Sequence, residues 1–115
     1  MKHIRILIAV AAACLVTAAF AHPATQIEFN TLVKPPANSA LVKAGCGLCH
    51  VGTATKLNPY GKDMSAAMKK LKTTKLTAAV MAKIAKLDSD KDKATNEKEI
   101  KAGTLPGDPK SKPAK

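Results

Sequence analysis

Two hydrophobic regimes divide the chain. Positions 4–20 are almost wholly apolar, interrupted only by Arg5 and Thr17, whereas beyond His22 the apolar residues become sparse and periodic. The first stretch follows a basic start (Lys2, His3, Arg5) and runs into Ala19-Phe20-Ala21, a small-x-small cleavage pattern. That is the layout of an export signal. Its apolar run barely reaches the length of a membrane-spanning helix and the cleavage pattern follows directly, so removal is expected rather than anchoring. The mature chain is then expected to begin at His22 and to keep 94 of the 115 residues. Cys14 lies inside the signal. Ala11-Ala12-Ala13 before it is a poor lipid-attachment box, so no lipid anchor is expected there.

In the second regime the spacing predicts short helices. Met64, Met68 and Leu71 recur at i, i+4, i+7 with Ala67 beside them, which predicts a helix over 64–71 or beyond, capped by Asp63. Val80, Ile84 and Leu87 give the stripe of a second helix over 77–87, with Lys83 and Lys86 facing out. A third is expected to start near Asn96 and to end at Gly103, a good residue for the left-handed turn after a helix. Ser39 is placed to cap a helix over 40–49. Before it, Gln26-Ile27-Glu28-Phe29-Asn30 reads as a short extended segment, and Lys34-Pro35-Pro36-Ala37-Asn38-Ser39 breaks any regular element. Residues 51–61 read as a loop, with Gly52, Asn58-Pro59 and Gly61 as its breakers. Leu105-Pro106-Gly107-Asp108-Pro109 is a turn, and 110–115 a basic tail expected to be disordered. The predicted architecture is all-α: one small domain over 22–102, then the turn and tail over 103–115.

Composition narrows the core and the partners. Phe29 and Tyr60 are the only aromatic residues after the signal, a thin supply for a domain of this size. Small domains often need a staple, such as a bound group or ion. Beyond the signal the chain carries 17 Lys, no Arg and 8 acids. Lysines suit a diffuse docking surface better than bidentate phosphate recognition, and an exported protein is an improbable partner for nucleic acid. Acidic redox proteins and anionic surfaces are the partners this charge fits. A solvated surface that keeps the chain soluble explains it equally well.

Cys46-Gly47-Leu48-Cys49-His50 carries the most specific chemistry. The C-x-x-C-H spacing lets two thiols bond the vinyl groups on one edge of a porphyrin, while the adjacent His gives a nitrogen to the iron. A dithiol redox pair belongs beside a strand-helix-strand pattern, which is not visible here. A zinc site wants about four N or S ligands, and after the motif no further Cys remains and His22 is the one other His.

Asp88, Asp90, Asp92, Asn96 and Glu99 form a second motif. They place side-chain oxygens at positions 1, 3, 5, 9 and 12 of a loop, and Ala94 at position 7 offers a backbone carbonyl. This is the EF-hand spacing for Ca²⁺, which takes roughly six to eight oxygens. Lys93 stands at position 6, where the pattern wants Gly, and Thr95 at position 8, where an aliphatic residue is usual. The alternative is an Asp-rich turn that only caps the neighbouring helices.

On these residues the chain resembles a small monohaem c-type cytochrome of the class I kind. Residues 88–109, with Gly103-Thr104-Leu105-Pro106 after the acids, resemble the thrombospondin type 3-like calcium repeats of exported bacterial proteins. The first resemblance implies one covalent haem on Cys46 and Cys49, His50 as proximal iron ligand, and attachment outside the bacterial inner membrane, hence a periplasmic location. It also implies a Pro-containing loop whose carbonyl orients the proximal imidazole, and Pro59 is the match. Class I members take a downstream Met as sixth ligand. Met81 and Met64 are the leading candidates here, ahead of Met68 and His22, and an open iron position is the remaining case. The second resemblance implies bound Ca²⁺.

The function expected from this reading is single-electron transfer by Fe(II)/Fe(III) cycling, without enzymatic turnover. Peroxidase-like catalysis is the competing class, but it needs a positioned acid–base group that the chain scarcely offers. A haem- and calcium-stapled scaffold or sensor is the third.

Overall fold

A computed structural model describes residues 23–52 and 55–115. The expected signal with Cys14, its cleavage pattern and His22 lie outside the described residues. The described chain is all-α: helices α1 (Pro23–Val33), α2 (Ala40–Ala44), α3 (Pro59–Lys70), α4 (Ala78–Ile84) and α5 (Asn96–Ala102), with a 3₁₀ turn over Gly45–Leu48 directly after α2. The only β pairing among the described residues is a single antiparallel bridge between His50 and Leu57. Among them no helix is long and apolar enough to cross a membrane.

Two segments differ from the sequence expectation. The stretch read as extended, 26–30, lies inside α1. Ile27 and Phe29 alternate as in a strand, but Pro23 suits the first turn of a helix and no breaker follows until Lys34-Pro35. Docking decides the case: Phe29 is fully buried while Ile27 stays 62% exposed. Glu28 fixes the helix further, accepting the Leu76 N–H at 2.8 Å. The second difference is the start of α3, five residues ahead of Met64. Asn58-Pro59 is the beginning of this helix, not a breaker. Asn58 is the N-cap, its side chain accepting from Gly61 N–H at 2.8 Å, and Pro59 occupies the first helical position, where its missing N–H costs nothing.

Asp63, the expected cap, therefore lies inside α3, and α4 covers only Ala78–Ile84 of the expected 77–87, leaving Leu87 44% exposed. Ser39 precedes α2, but the helix stops at Ala44, where Gly45 turns to φ +53° and the 3₁₀ turn takes over. Thr77 caps α4 by accepting from Val80 N–H at 3.4 Å. Thr95 caps α5 in the same way from Lys98 N–H, and Gly103 closes it at φ +77°. The Leu105–Pro109 turn then folds back: Pro106 is buried and Leu105 N–H donates to Ser111 Oγ at 2.9 Å. The first part of the basic tail is therefore held to the domain.

Phe29, Leu41, Leu48, Tyr60, Met64, Ala67, Leu76, Val80 and Ile84 form one core. Both aromatic residues beyond the signal sit at its centre, each 1% exposed or less. Leu41 precedes the cysteine motif and Leu48 lies within it, so the core anchors that motif directly. Cys49, Met68, Met81, Ile100 and Leu105 pack against its edge.

Candidate functional site

The cysteine motif is one continuous helical turn. Cys49 and His50 N–H both donate to the Cys46 carbonyl, at 3.3 and 3.0 Å. Leu48 points into the core, which leaves Cys46 exposed and Cys49 half-buried, both as free thiols. Burial, and secondarily the neighbouring Cys46, push the Cys49 thiol up to about 11. It is therefore a neutral thiol at physiological pH. A dithiol redox catalyst needs the opposite shift, towards thiolate. Nor do Cys46, Cys49 and His50 gather their ligand atoms around one point. Among the described residues the only such group of three or more is Asp88, Asp90 and Asp92.

Asn58 holds this turn. Its Nδ2 donates to the carbonyls of Gly47 and Leu48 at 3.2 and 3.0 Å. Its backbone N–H donates to the Cys49 carbonyl at 2.9 Å, and its Oδ1 caps α3 through Gly61. Val51 N–H to the Lys56 carbonyl and the His50–Leu57 bridge complete the return of the chain from motif to helix. Two glycines let the backbone close in. A Cβ on Gly61 would run into the Cys49 carbonyl, and one on Gly107 would lie 2.6 Å from Asn58 Oδ1. The sequence marks Asn58 and Gly61 only as loop breakers and Gly107 only as part of a turn, not as parts of this site. The Asn-Pro pair signals the helix start, but nothing local signals the Gly107 contact.

The remaining predicted residues are placed as follows. Pro59 opens α3 and is exposed. Met64 is in the core at 4% exposure, and Met68 packs beside it. Met81 is half-buried, and its sulfur accepts from the Tyr60 hydroxyl at 3.7 Å. Burial, then the nearby Cys49, hold that hydroxyl above the usual tyrosine range, so it remains a donor. Tyr60 thus joins Met81 to the neighbourhood of the cysteine motif.

The surface around the motif is open and partly apolar. A Cβ on Gly45 or Gly52 would meet no protein atom within 4 Å, so the backbone on either side of the motif is open to close approach. Val42 and Val51, just before and after it, are 38% and 49% exposed. Apolar side chains thus lie exposed beside the two thiols and the imidazole.

The acidic loop is a second centre. Asp88, Asp90 and Asp92 bring carboxylate oxygens together. Part of their acceptor capacity is used inside the loop: Asp88 accepts from Asp92 and Lys93 N–H, and Asp92 from Ala94 N–H. Lys93 sits at φ +79° and Lys91 at φ +62°, which is the left-handed geometry that the EF-hand pattern gives to Gly. Asp90 Oδ2, Asp92 Oδ2 and both oxygens of the fully buried Glu99 have no hydrogen-bond partner. Burial first, then Asp90, Asp92, Asp88 and Asp108, raise Glu99 to about 8. Burial, then Asp92, raise Asp90 to about 6. Asn96 is used differently from the spacing's expectation. Its Oδ1 accepts from Ser89 N–H and its Nδ2 donates to the Ile84 carbonyl and Ser89 Oγ. It braces the loop against α4 instead of presenting oxygen. Ser89 Oγ in turn donates to Asp63 on α3 at 2.6 Å.

No family model matches the chain, and no curated protein or solved structure does so either.

Asn58→Ala is expected to destabilise the fold by about 2–4 kcal/mol, since it removes a helix cap and strands two carbonyls. Asn58→Asp restores the cap but not the donor, and should recover only part of that loss in equilibrium denaturation. The loop predicts a pH dependence as well. Glu99 titrates near 4.5 when unfolded and near 8 when folded, so the folded state holds the extra proton between these values. In chelator, stability should fall as pH rises through that window. Asp90 acts in the same direction over its lower part, while Glu97, lowered to about 2 by Lys101 and Lys86, acts only below it. A melting temperature that climbs steadily from pH 5 to 8 contradicts this.

Proposed function

We propose that this protein is an exported c-type cytochrome that carries single electrons. The observation that supports it most strongly is the C-x-x-C-H segment itself: one turn that carries two thiols, one exposed and one half-buried, with His50 next to the second. A zinc site needs convergence and a redox dithiol needs a thiolate. Thioether attachment needs neither; it needs two thiols spaced along one edge of a ring.

In this reading Cys46 and Cys49 hold the haem covalently and His50 is the proximal ligand. When bound, the haem supplies one-electron Fe(II)/Fe(III) chemistry. The chain's own contribution is positional. Leu41 and Leu48 anchor the turn in the core, Asn58 fixes its carbonyls, and Gly61 lets α3 close on Cys49. Pro59 serves as the start of α3 and so sets where Asn58 stands. Of the methionines, Met81 is the better sixth ligand. Its sulfur lies at the edge of the core within reach of the Tyr60 hydroxyl, whereas Met64 is committed to packing between α3 and α4. A hydrogen bond to a ligating sulfur tunes the metal from the second shell of contacts. The lysine-rich surface would steer acidic redox partners in the periplasm.

Oxidised and reduced absorption spectra of the purified exported protein, with protein-film voltammetry, test this. A low-spin haem and one reversible one-electron wave are expected. Met81→Ala should turn the ferric iron high spin, and Tyr60→Phe should shift the potential without changing spin state. Met64→Ala should cost about 2–5 kcal/mol of core packing and leave the spin state alone. A wild-type protein with no reversible wave, or with a high-spin iron that turns over peroxide, rules out the carrier role.

A further inference from the structure

The chain segregates its charge. Residues 64–87 hold Lys69, Lys70, Lys72, Lys75, Lys83 and Lys86 and no acid, whereas six of the 8 acids fall in 88–108. The other two are Asp63 and Glu28. Asp63 turns to the acidic loop, accepting from Ser89 Oγ at 2.6 Å. Glu28 does reach the lysine segment, but through the Leu76 N–H, and it is one carboxylate against several ammonium groups. Among the described residues the only ion pairs join Lys86 and Lys101 to Glu97. Lys69, Lys70, Lys72 and Lys75 are exposed, and none of them is paired with a carboxylate.

These four crowd the turn between α3 and α4, and helix chemistry accounts for only two of them. Lys69 and Lys70 close α3, where the helix dipole favours cations. Lys72 stands just past the helix at φ +51°. There Thr73 N–H donates to the Met68 carbonyl and Lys72 N–H to the Lys69 carbonyl, at 3.0 and 3.1 Å. The left-handed position of such a turn ordinarily belongs to Gly. Glycine would close it without strain; lysine closes it with strain and adds a charge at the tip. Between Lys70 and Lys72, Leu71 is 40% exposed. The other end of α3 is capped by Asn58, the residue that holds the cysteine turn. With twelve residues in α3, the lysine turn lies about 18 Å along the helix from that cap.

We propose that the α3–α4 turn is a membrane contact: Lys69, Lys70, Lys72 and Lys75 meet the phosphates of an anionic bilayer, and Leu71 enters the boundary beneath the headgroups. The partner's charge must be negative, because the turn offers a cluster of unpaired cations and each lysine near a charged bilayer adds to the attraction. A bilayer fits better than an acidic protein for two reasons. Lysine ammonium groups are hydrated point charges, suited to a mobile field of headgroups, whereas protein carboxylates are held best by the fork of arginine, which the chain beyond the signal lacks. A protein would also have to present a pocket that matches Leu71, while the interfacial layer of a bilayer accepts an apolar side chain anywhere. The contact lies at the far end of α3 from the cysteine turn and leaves that turn uncovered. It does not depend on what Cys46 and Cys49 carry, so its outcome is independent of the electron-carrier reading.

The test is sedimentation of the exported protein with vesicles of phosphatidylglycerol and phosphatidylcholine in equal parts, against phosphatidylcholine alone, at physiological ionic strength. The protein should bind the anionic vesicles only. Lys72→Gly should weaken binding about fivefold, the effect of one lysine at a charged surface, while the variant stays folded because its backbone strain is relieved. Leu71→Ser should weaken binding too, most clearly at high salt, where charge is screened. Replacing the tail lysines together, Lys110→Gln, Lys112→Gln and Lys115→Gln, should weaken it less than Lys72→Gly alone. On the vesicles, hydrogen–deuterium exchange should slow in residues 69–76 and not in 46–50. The contact is overturned by a wild-type protein that binds both vesicles equally or neither, by a Lys72→Gly variant with undiminished binding, or by protection confined to residues outside 69–76. Binding to immobilised polyglutamate as tight as to the anionic vesicles, and indifferent to Leu71→Ser, assigns the turn to an acidic protein instead and overturns the membrane contact.

Discussion

Most of this small fold is arranged around the amide of Asn58. A C-x-x-C-H turn has few polar side chains of its own, and the carbonyls of Gly47, Leu48 and Cys49 project from it without helical partners. Asn58 supplies donors to all three, two from its side chain and one from its backbone, while its Oδ1 starts α3. One residue therefore ends the motif's loop, opens the helix that carries Tyr60 and Met64, and receives the C-terminal turn through Gly107. Satisfying buried backbone groups is obligatory, not optional. The positions of α3 and of the C-terminal turn follow from meeting that demand at one place.

The core around this hub is modest, which gives the predicted staples a physical purpose. Two aromatic rings and a handful of aliphatic side chains fill it, and several apolar residues remain exposed, Val42 and Val51 beside the motif among them. A covalently attached apolar ring would cover surface that the chain cannot cover itself. The acidic loop is the converse case: a polar cluster that the chain leaves incomplete. Electrostatic repulsion among its carboxylates is held in place by caps, by the Asn96 brace and by the Ser89–Asp63 bond, not by opposite charge. Both centres thus have their local geometry fixed by the chain's own contacts.

Much of this was legible in the residues. The all-α character, the helix starts near Thr77 and Asn96 and the stop at Gly103 rest on short-range chemistry that spacing reports well. The failures have a common cause. Residues 26–30 alternate like a strand and become helix because Phe29 docks in a core formed by distant segments. Asn58-Pro59 reads as a breaker, although the same pair is a strong helix start when the asparagine side chain faces the following amides. Asn96 occupies a ligand position by count and is turned aside to bond the Ile84 carbonyl and Ser89. The Gly107–Asn58 contact joins segments far apart in the chain, and no local pattern encodes it. The left-handed backbone at Lys93 shows the reverse: the geometry of the loop survives a residue that the pattern disfavours.

Covalent haem on the cysteine turn is the claim on which the functional account rests, and the intact mass of the protein exported from cells competent for haem attachment tests it most directly. The account predicts a mass equal to the processed chain plus one haem, retained under denaturing conditions, with Cys46→Ala or Cys49→Ala unable to form the normal two-link product. A wild-type protein recovered at the bare mass of its polypeptide from the same cells contradicts it.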